Sequence, residues 1–259
     1  MSFRSKSGRT IAIGDIHGCI REFEELIDRL ALTSSDRVVC LGDFMDKGPY
    51  PAECVRFARE SGFDSVLGNH EERHIRWRRH EDARIATGKK NPMRPMVPED
   101  EAANNALSAE DWAWLKDLPA HIDLGDNWVA VHGGFLPDVP IAQQHFNDVL
   151  RIRWVSRTEK GSYATVATDY TSAETIMKGP ENGAHWADLW KGPQNVVYGH
   201  EAFSLTKPKV TTYNGIQTWG IDTGAAHNGH LTALILPTME IVQVKAHADY
   251  CKLLVPIPP

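Results

Sequence analysis

The order of elements written along this chain predicts an α/β fold, and three observations carry that reading. Short apolar runs alternate with amphipathic helical patterns through the first third, which implies parallel strands joined by crossovers. Each run ends in glycine together with Asp, Asn or His, the composition of a loop beyond a strand end. The last part of the chain instead carries the turn signals of β-hairpins.

Taken in order, residues 10–13 (TIAI) read as the first strand. Residues 20–32 follow with Ile20, Phe23, Leu26, Ile27 and Leu30 at helical spacing. Residues 37–41 (RVVCL) are the second strand, and a helix over 51–60 opens on Pro51, where a proline is favoured. Residues 65–67 form the third strand, with a helix from about Glu71. From there the pattern turns helical and charged, broken by a Lys/Asn/Pro/Arg-rich stretch over 88–98. We read residues 72–118 as a helical insertion in one domain spanning 1–259, because strand-like runs resume at 128–131 and 195–198. A hairpin over 210–219 turns on Asn214-Gly215, and a second pairs 231–236 with 241–246.

Composition narrows the function. The 259 residues carry 28 Lys and Arg against 34 Asp and Glu, a net charge of −6. That argues against a dedicated nucleic-acid or membrane-surface partner, which calls for a basic face. Cys19, Cys40, Cys54 and Cys251 form no C-x-x-C pair, so they read as buried thiols of a reducing compartment. With no apolar core in the first ten residues and no membrane-length apolar run, the expected location is cytoplasmic.

The strand ends hold the chemistry. They read Gly14-Asp15-Ile16-His17-Gly18, Gly42-Asp43-Phe44-Met45-Asp46-Lys47-Gly48, Gly68-Asn69-His70-Glu71, His132-Gly133-Gly134 and Gly199-His200. Ligands of open α/β sheets bind beyond the carboxyl ends of the strands, so these loops are expected to converge. Asp15, His17, Asp43, Asn69, His132 and His200 supply carboxylate, amide and imidazole donors without thiolate. Such a set suits manganese, iron or zinc better than calcium, and six ligands exceed what one open catalytic ion needs. Two divalent ions are therefore expected.

These motifs, with Asp222-Thr223-Gly224-Ala225, resemble the calcineurin-like metallophosphoesterases over residues 11–246. Within that family they look like the branch of bacterial serine/threonine protein phosphatases and symmetrical diadenosine tetraphosphatases. The resemblance implies a four-layer α/β/β/α sandwich and two metals, manganese foremost. By motif, Asp15 and His17 bind the first ion, Asp43 bridges, and Asn69, His132 and His200 complete the second. His70 looks like the general acid, and Asp46 the carboxylate that orients it. Paired ions would activate a water and clamp the phosphoryl oxygens.

Lys47 stands where the family usually has arginine, a point charge in place of a bidentate grip. With Asn69 it is a candidate for phosphate binding, and Arg151 or Arg153 for a second contact, with Arg153 preferred. Lys47-Gly48-Pro49, residues 55–60 and Val139-Pro140-Ile141 look like the tetraphosphatase relatives, whereas Asp46 and Glu71 look like protein phosphatases. Phosphomonoester hydrolysis on a phosphoprotein is the leading expectation. Hydrolysis of dinucleoside polyphosphates or other phosphoanhydrides is the alternative, and a non-catalytic phosphate-binding scaffold the third. The basic run from Arg73 to Arg94 reads as a solvated helix face or as a lid for a polyanion. His74, His80, His121, His145, His185 and His247 belong to no motif, while His227 and His230 follow the Asp222 turn.

Overall fold

The structure, a computed structural model, describes residues 8–166, 179–252 and 257. The first seven residues, part of the start expected to hold no apolar core, and most of the proline-rich tail lie outside them.

Two five-stranded sheets stack face to face. The first has the order β13-β12-β1-β2-β3, built from β1 (Thr10–Ile13), β2 (Arg37–Cys40), β3 (Asp64–Ser65), β12 (His230–Leu236) and β13 (Glu240–Lys245). The second has the order β10-β11-β9-β5-β4, from β4 (His121–Gly125), β5 (Trp128–Val131), β9 (Asn195–Tyr198), β10 (Lys209–Tyr213) and β11 (Ile216–Gly220). Each sheet has three parallel strands at its heart, β1-β2-β3 in one and β5-β9-β11 in the other.

Strand alternation makes the layers. Ile11 and Ile13 pack outward against α1 (Ile20–Leu30) and α2 (Pro51–Glu60), whereas Ala12 faces the other sheet. In β2, Val38 and Cys40 face the helices and Val39 faces inward. Trp128 and Ala130 of β5 meet that inner face, while Val129 and Val131 pack on a third cluster with Trp186 and Phe135. Short helices α6 (Phe146–Val149) and α7 (Trp186–Leu189) belong to that outer layer. The result is the expected α/β/β/α sandwich. Both sheets are covered on both faces, which is why their central strands read as continuous apolar runs.

The charged stretch forms α3 (Asn69–Thr87), α4 (Pro98–Ala106) and α5 (Ala109–Asp117) between β3 and β4. Several boundaries shift by one or two residues from expectation, and two of the shifts have a visible cause. The third strand is two residues long, because Leu67 N–H donates to Pro119 O instead of to β2. Helix α3 begins at Asn69, not Glu71, because extended Gly68 caps it and Glu71 Oε2 accepts the Gly68 N–H at 3.1 Å. A further sheet of order β7-β6-β8, from β6 (Trp154–Arg157), β7 (Tyr163–Val166) and β8 (Ala184–His185), had no signal in the apolar pattern.

Candidate metal centre

All five motif loops follow strands whose carboxyl ends point the same way, and backbone hydrogen bonds stitch them together. His17 N–H donates to Asp43 O at 2.7 Å, and Gly199 N–H to His132 O at 3.0 Å. His200 N–H reaches across the sheets to Asp15 Oδ1 at 3.0 Å. Glycine is required where the loops touch: a Cβ on Gly199 would lie 2.1 Å from Asp15 Oδ1.

Two groups of donors result, His17–Asp43–His70 and Asp43–His132–His200, each with its ligand atoms within 4.8 Å of one another. Asp43 is common to both and fully buried between them. Oδ2 of Asp43 faces His17 Nε2 at 3.5 Å, and Oδ1 faces His132 Nε2 at 3.4 Å. Asp15 Oδ2 lies 3.8 Å from His17 Nε2, and Asn69 Oδ1 lies 2.9 Å from His132 Nε2. All six residues expected as ligands thus meet at one place.

The donor set fits divalent ions for a reason visible in the hydrogen bonds. His17 Nδ1 donates to Met45 O at 2.8 Å, and His132 Nδ1 to Leu41 O at 2.7 Å. Each Nε2 therefore keeps its lone pair and aims it at oxygen lone pairs. Burial lowers the pKa of His17, His132 and His200, so the rings stay neutral and suited to coordination. His200 is turned the other way round, with Nε2 donating to Arg151 O at 3.3 Å and Nδ1 left as the ligand atom. Buried acceptors facing one another repel unless a cation lies among them. Lys47 supplies one such cation, its Nζ 2.8 Å from His17 Nε2. Burial, then the Asp222 and Asp43 charges, pushes Asp15 well up, a conflict that positive charge would relieve.

Beside the donors, His70 Nδ1 donates to Asp46 Oδ2, leaving Nε2 3.7 Å from Asp43 Oδ2. Asp46 also accepts from His74 Nε2 at 2.7 Å and Arg73 Nη2 at 2.9 Å. Although burial pushes Asp46 up, the hydrogen bonds from His70 and His74 hold it well below the usual carboxylate range. Neither His74 nor Arg73 was singled out as a site residue from the sequence. The available signal was position, since His74 lies one helical turn beyond His70 and shares its face.

Glu71 does something other than mark substrate class. It is fully buried, and its carboxylate accepts the N–H groups of Asp43, Phe44, Met45 and Gly68 at 2.8–3.1 Å. Burial and the Asp43 charge push it up to about 7, against the pull of those N–H donors. It shapes the Asp43 loop from behind and meets no substrate.

Lys47 lines a cleft of about 1010 Å³ with Asp46, Asn69, His70 and Arg73; the start of α2, α4 and Tyr250 are among its other walls. Arg151 is paired with Glu72, and Arg153 lies 3.9 Å from Glu201 and donates from Nη2 to His200 O at 3.3 Å. Three cations of the basic run pair along their own helix, Arg76–Glu72, Arg78–Asp82 and Arg84–Glu81, and Arg73 pairs with Asp46 and Asp100. His227 and His230 donate to the carbonyls of Cys251 and Leu205, and Asp222 Oδ1 accepts from Gly224 N–H in its own turn. No helix among the described residues is long and apolar enough to cross a membrane.

The family model for calcineurin-like phosphoesterases matches residues 8–213. The chain belongs to this family. With two donor groups sharing a bridging carboxylate inside that fold, it is a metal-dependent hydrolase rather than a scaffold. Among curated proteins it is similar to bis(5'-nucleosyl)-tetraphosphatase PrpE, described as asymmetrical, from Bacillus cereus strain AH187. The two are 25% identical, with 92% of this chain and 94% of the relative covered. The Bacillus cereus strain Q1 protein of the same description is 26% identical over the same shares. Among solved structures, a candidate diadenosine tetraphosphatase superposes with a TM-score of 0.73 at 26% identity, covering 94% of this chain and 96% of that one. A Saccharomyces cerevisiae protein serine/threonine phosphatase gives 0.55 at 14% identity, covering 95% and 82%, a likeness of fold alone. The Bacillus relatives correct the expected branch: they are described as asymmetrical, not symmetrical, tetraphosphatases. The strand-end motifs hold metal and are silent on which anhydride of a polyphosphate is cut, which is why they misdirected that expectation.

Proposed function

We propose that this chain hydrolyses a phosphoanhydride of a dinucleoside polyphosphate asymmetrically, releasing a nucleoside monophosphate and the longer nucleotide. The observation that carries this reading is the similarity to the asymmetrical tetraphosphatases over 92% of this chain and 94% of theirs. The cleft beside the metal centre supports it, since about 1010 Å³ is room for a whole nucleotide and not only a phosphate.

Asp15, His17 and Asp43 would hold one ion, and Asp43, Asn69, His132 and His200 the other, with manganese the favoured pair. Bound there, the ions supply an activated water and neutralise the phosphoryl oxygens. The chain's own groups do the rest. Lys47 and Arg153 grip the phosphates, with Asn69 beside them. Arg153 is assigned this role over Arg151 because its guanidinium lies against the backbone of the ligand candidate His200, with Nη2 3.3 Å from His200 O. His70 delivers a proton from Nε2 to the leaving oxygen, and the Asp46 carboxylate on Nδ1 aims the ring.

That same pair favours a second reading, phosphomonoester hydrolysis on serine or threonine, because an alkoxide leaves poorly without a proton. A panel at fixed manganese separates the two by kcat/KM. Diadenosine tetraphosphate is expected to exceed a phosphoserine peptide by at least about tenfold, one step of about 1.4 kcal/mol in transition-state stabilisation. A peptide preferred over the dinucleotide would overturn the proposal.

A further inference from the structure

Helix α4 of the charged stretch reaches the His70–Asp46 pair through two arms. In one, Asn104 Nδ2 lies 3.1 Å from His74 Nδ1 and 3.5 Å from His74 O, and His74 Nε2 lies 2.7 Å from Asp46 Oδ1. In the other, Asp100 holds Arg73 Nη2, which also donates to Asp46 Oδ2 at 2.9 Å. Asp100 and Asn104 are one turn apart on α4, just as His70 and His74 are on α3, so two helix faces interlock around one carboxylate.

The hydrogens in the first arm have one consistent arrangement. The Asn104 amide can only donate from Nδ2, so His74 Nδ1 accepts and Nε2 carries the hydrogen given to Asp46. His74 and Asn104 are both 0% exposed, and Asn104 Oδ1 has no hydrogen-bond partner among the described residues. A buried unpartnered carbonyl costs stability, and the asparagine is tolerated there with its N–H groups spent on His74.

We infer that His74 and Asn104 are positioning residues for the acid: through Asp46 they fix the angle at which His70 presents Nε2 to the leaving oxygen. This rests on the reading of His70 as proton donor. Helix α4, a wall of the cleft, is then also a second support for catalysis, and its anchor His74 lies one turn beyond the acid.

The test uses leaving groups. A phenolate needs the proton and a nitrophenolate scarcely does, so loss of aim lowers turnover on phenyl phosphate far more than on p-nitrophenyl phosphate. His70→Ala is the reference and is expected to show that split. His74→Phe fills the same space without the N–H. It should lower kcat on phenyl phosphate by about 10- to 100-fold, below the full contribution of a general acid, and change the nitro ester less than about threefold with KM unmoved. His74→Gln puts an amide N–H near Asp46 and should restore most of the loss. Asn104→Leu should show a smaller split in the same direction, and it keeps the test available should His74→Phe fold poorly. Equal losses on both esters in the His74 and Asn104 variants, with the split intact in His70→Ala, would overturn the positioning role alone. Equal losses in His70→Ala as well would remove the acid and this inference together.

Discussion

His17, Asp43, Asp46, Lys47 and His200 all adopt left-handed backbone, with φ between 45° and 73°. Such conformations cost energy in residues with a Cβ, and they persist only where surrounding contacts enforce them. Here the enforcing contacts are visible: Glu71 gathers the N–H groups of Asp43, Phe44 and Met45, and Asp15 receives that of His200. The strain brings Asp43 between the two donor groups, so Asp43 should be the least replaceable residue. Asp43→Asn keeps the shape and removes the charge. We expect bound manganese to fall below two ions per chain by elemental analysis, and kcat to fall more than the roughly 10- to 100-fold typical of an outer support. Two retained ions with undiminished turnover would refute the bridging role. Sequence made the donors legible because glycines flank them. It did not show the strain, which falls on the residues beside the glycines.

At the scale of elements, the β1–α1–β2 crossover is locked at its base by Arg9 and Asp36. Arg9 donates to Asp36 from its backbone N–H at 2.9 Å and from Nη2 at 2.6 Å, and its Nη2 also reaches Leu30 O at the end of α1. Those bonds hold the Asp36 carboxyl below the usual carboxylate range. A depressed folded pKa gives stability that is present above the unfolded value and lost as pH falls through the folded one. Asp36→Asn should therefore cost about 2 kcal/mol at pH 7, as expected for charge-assisted bonds, in urea unfolding. The gap to wild type should shrink below about pH 4, the unfolded value; a gap constant from pH 7 to 3 would contradict the assignment. The crossover itself was readable from periodicity. The α3–α4 interlock was not, because His74 and Asn104 are 30 positions apart and neither sits in a glycine-framed motif. Only the fold makes them neighbours, and so His74 passed as an incidental histidine.

For the whole molecule, two sheets with parallel hearts bring the carboxyl ends of β1, β2, β3, β5 and β9 to one edge, and the insertion after β3 walls the cleft there. The layers were legible because central strands buried on both faces leave long apolar runs. The small β7-β6-β8 sheet was not, since its strands are short and β7 is only half-buried. Substrate class was the least legible property. The residues that first pointed to phosphoproteins were Asp46 and Glu71, one turned toward His70 and the other sealed behind the Asp43 loop. If the substrate is a polyphosphate, as proposed, the bond to be cut is decided by how the cleft seats it against the metal centre. The most direct measurement is product analysis by anion-exchange chromatography after a single limited turnover of diadenosine tetraphosphate with manganese. Equal amounts of AMP and ATP are expected; ADP as the sole nucleotide product, or an intact dinucleotide beside a hydrolysed phosphoserine peptide, would contradict the account.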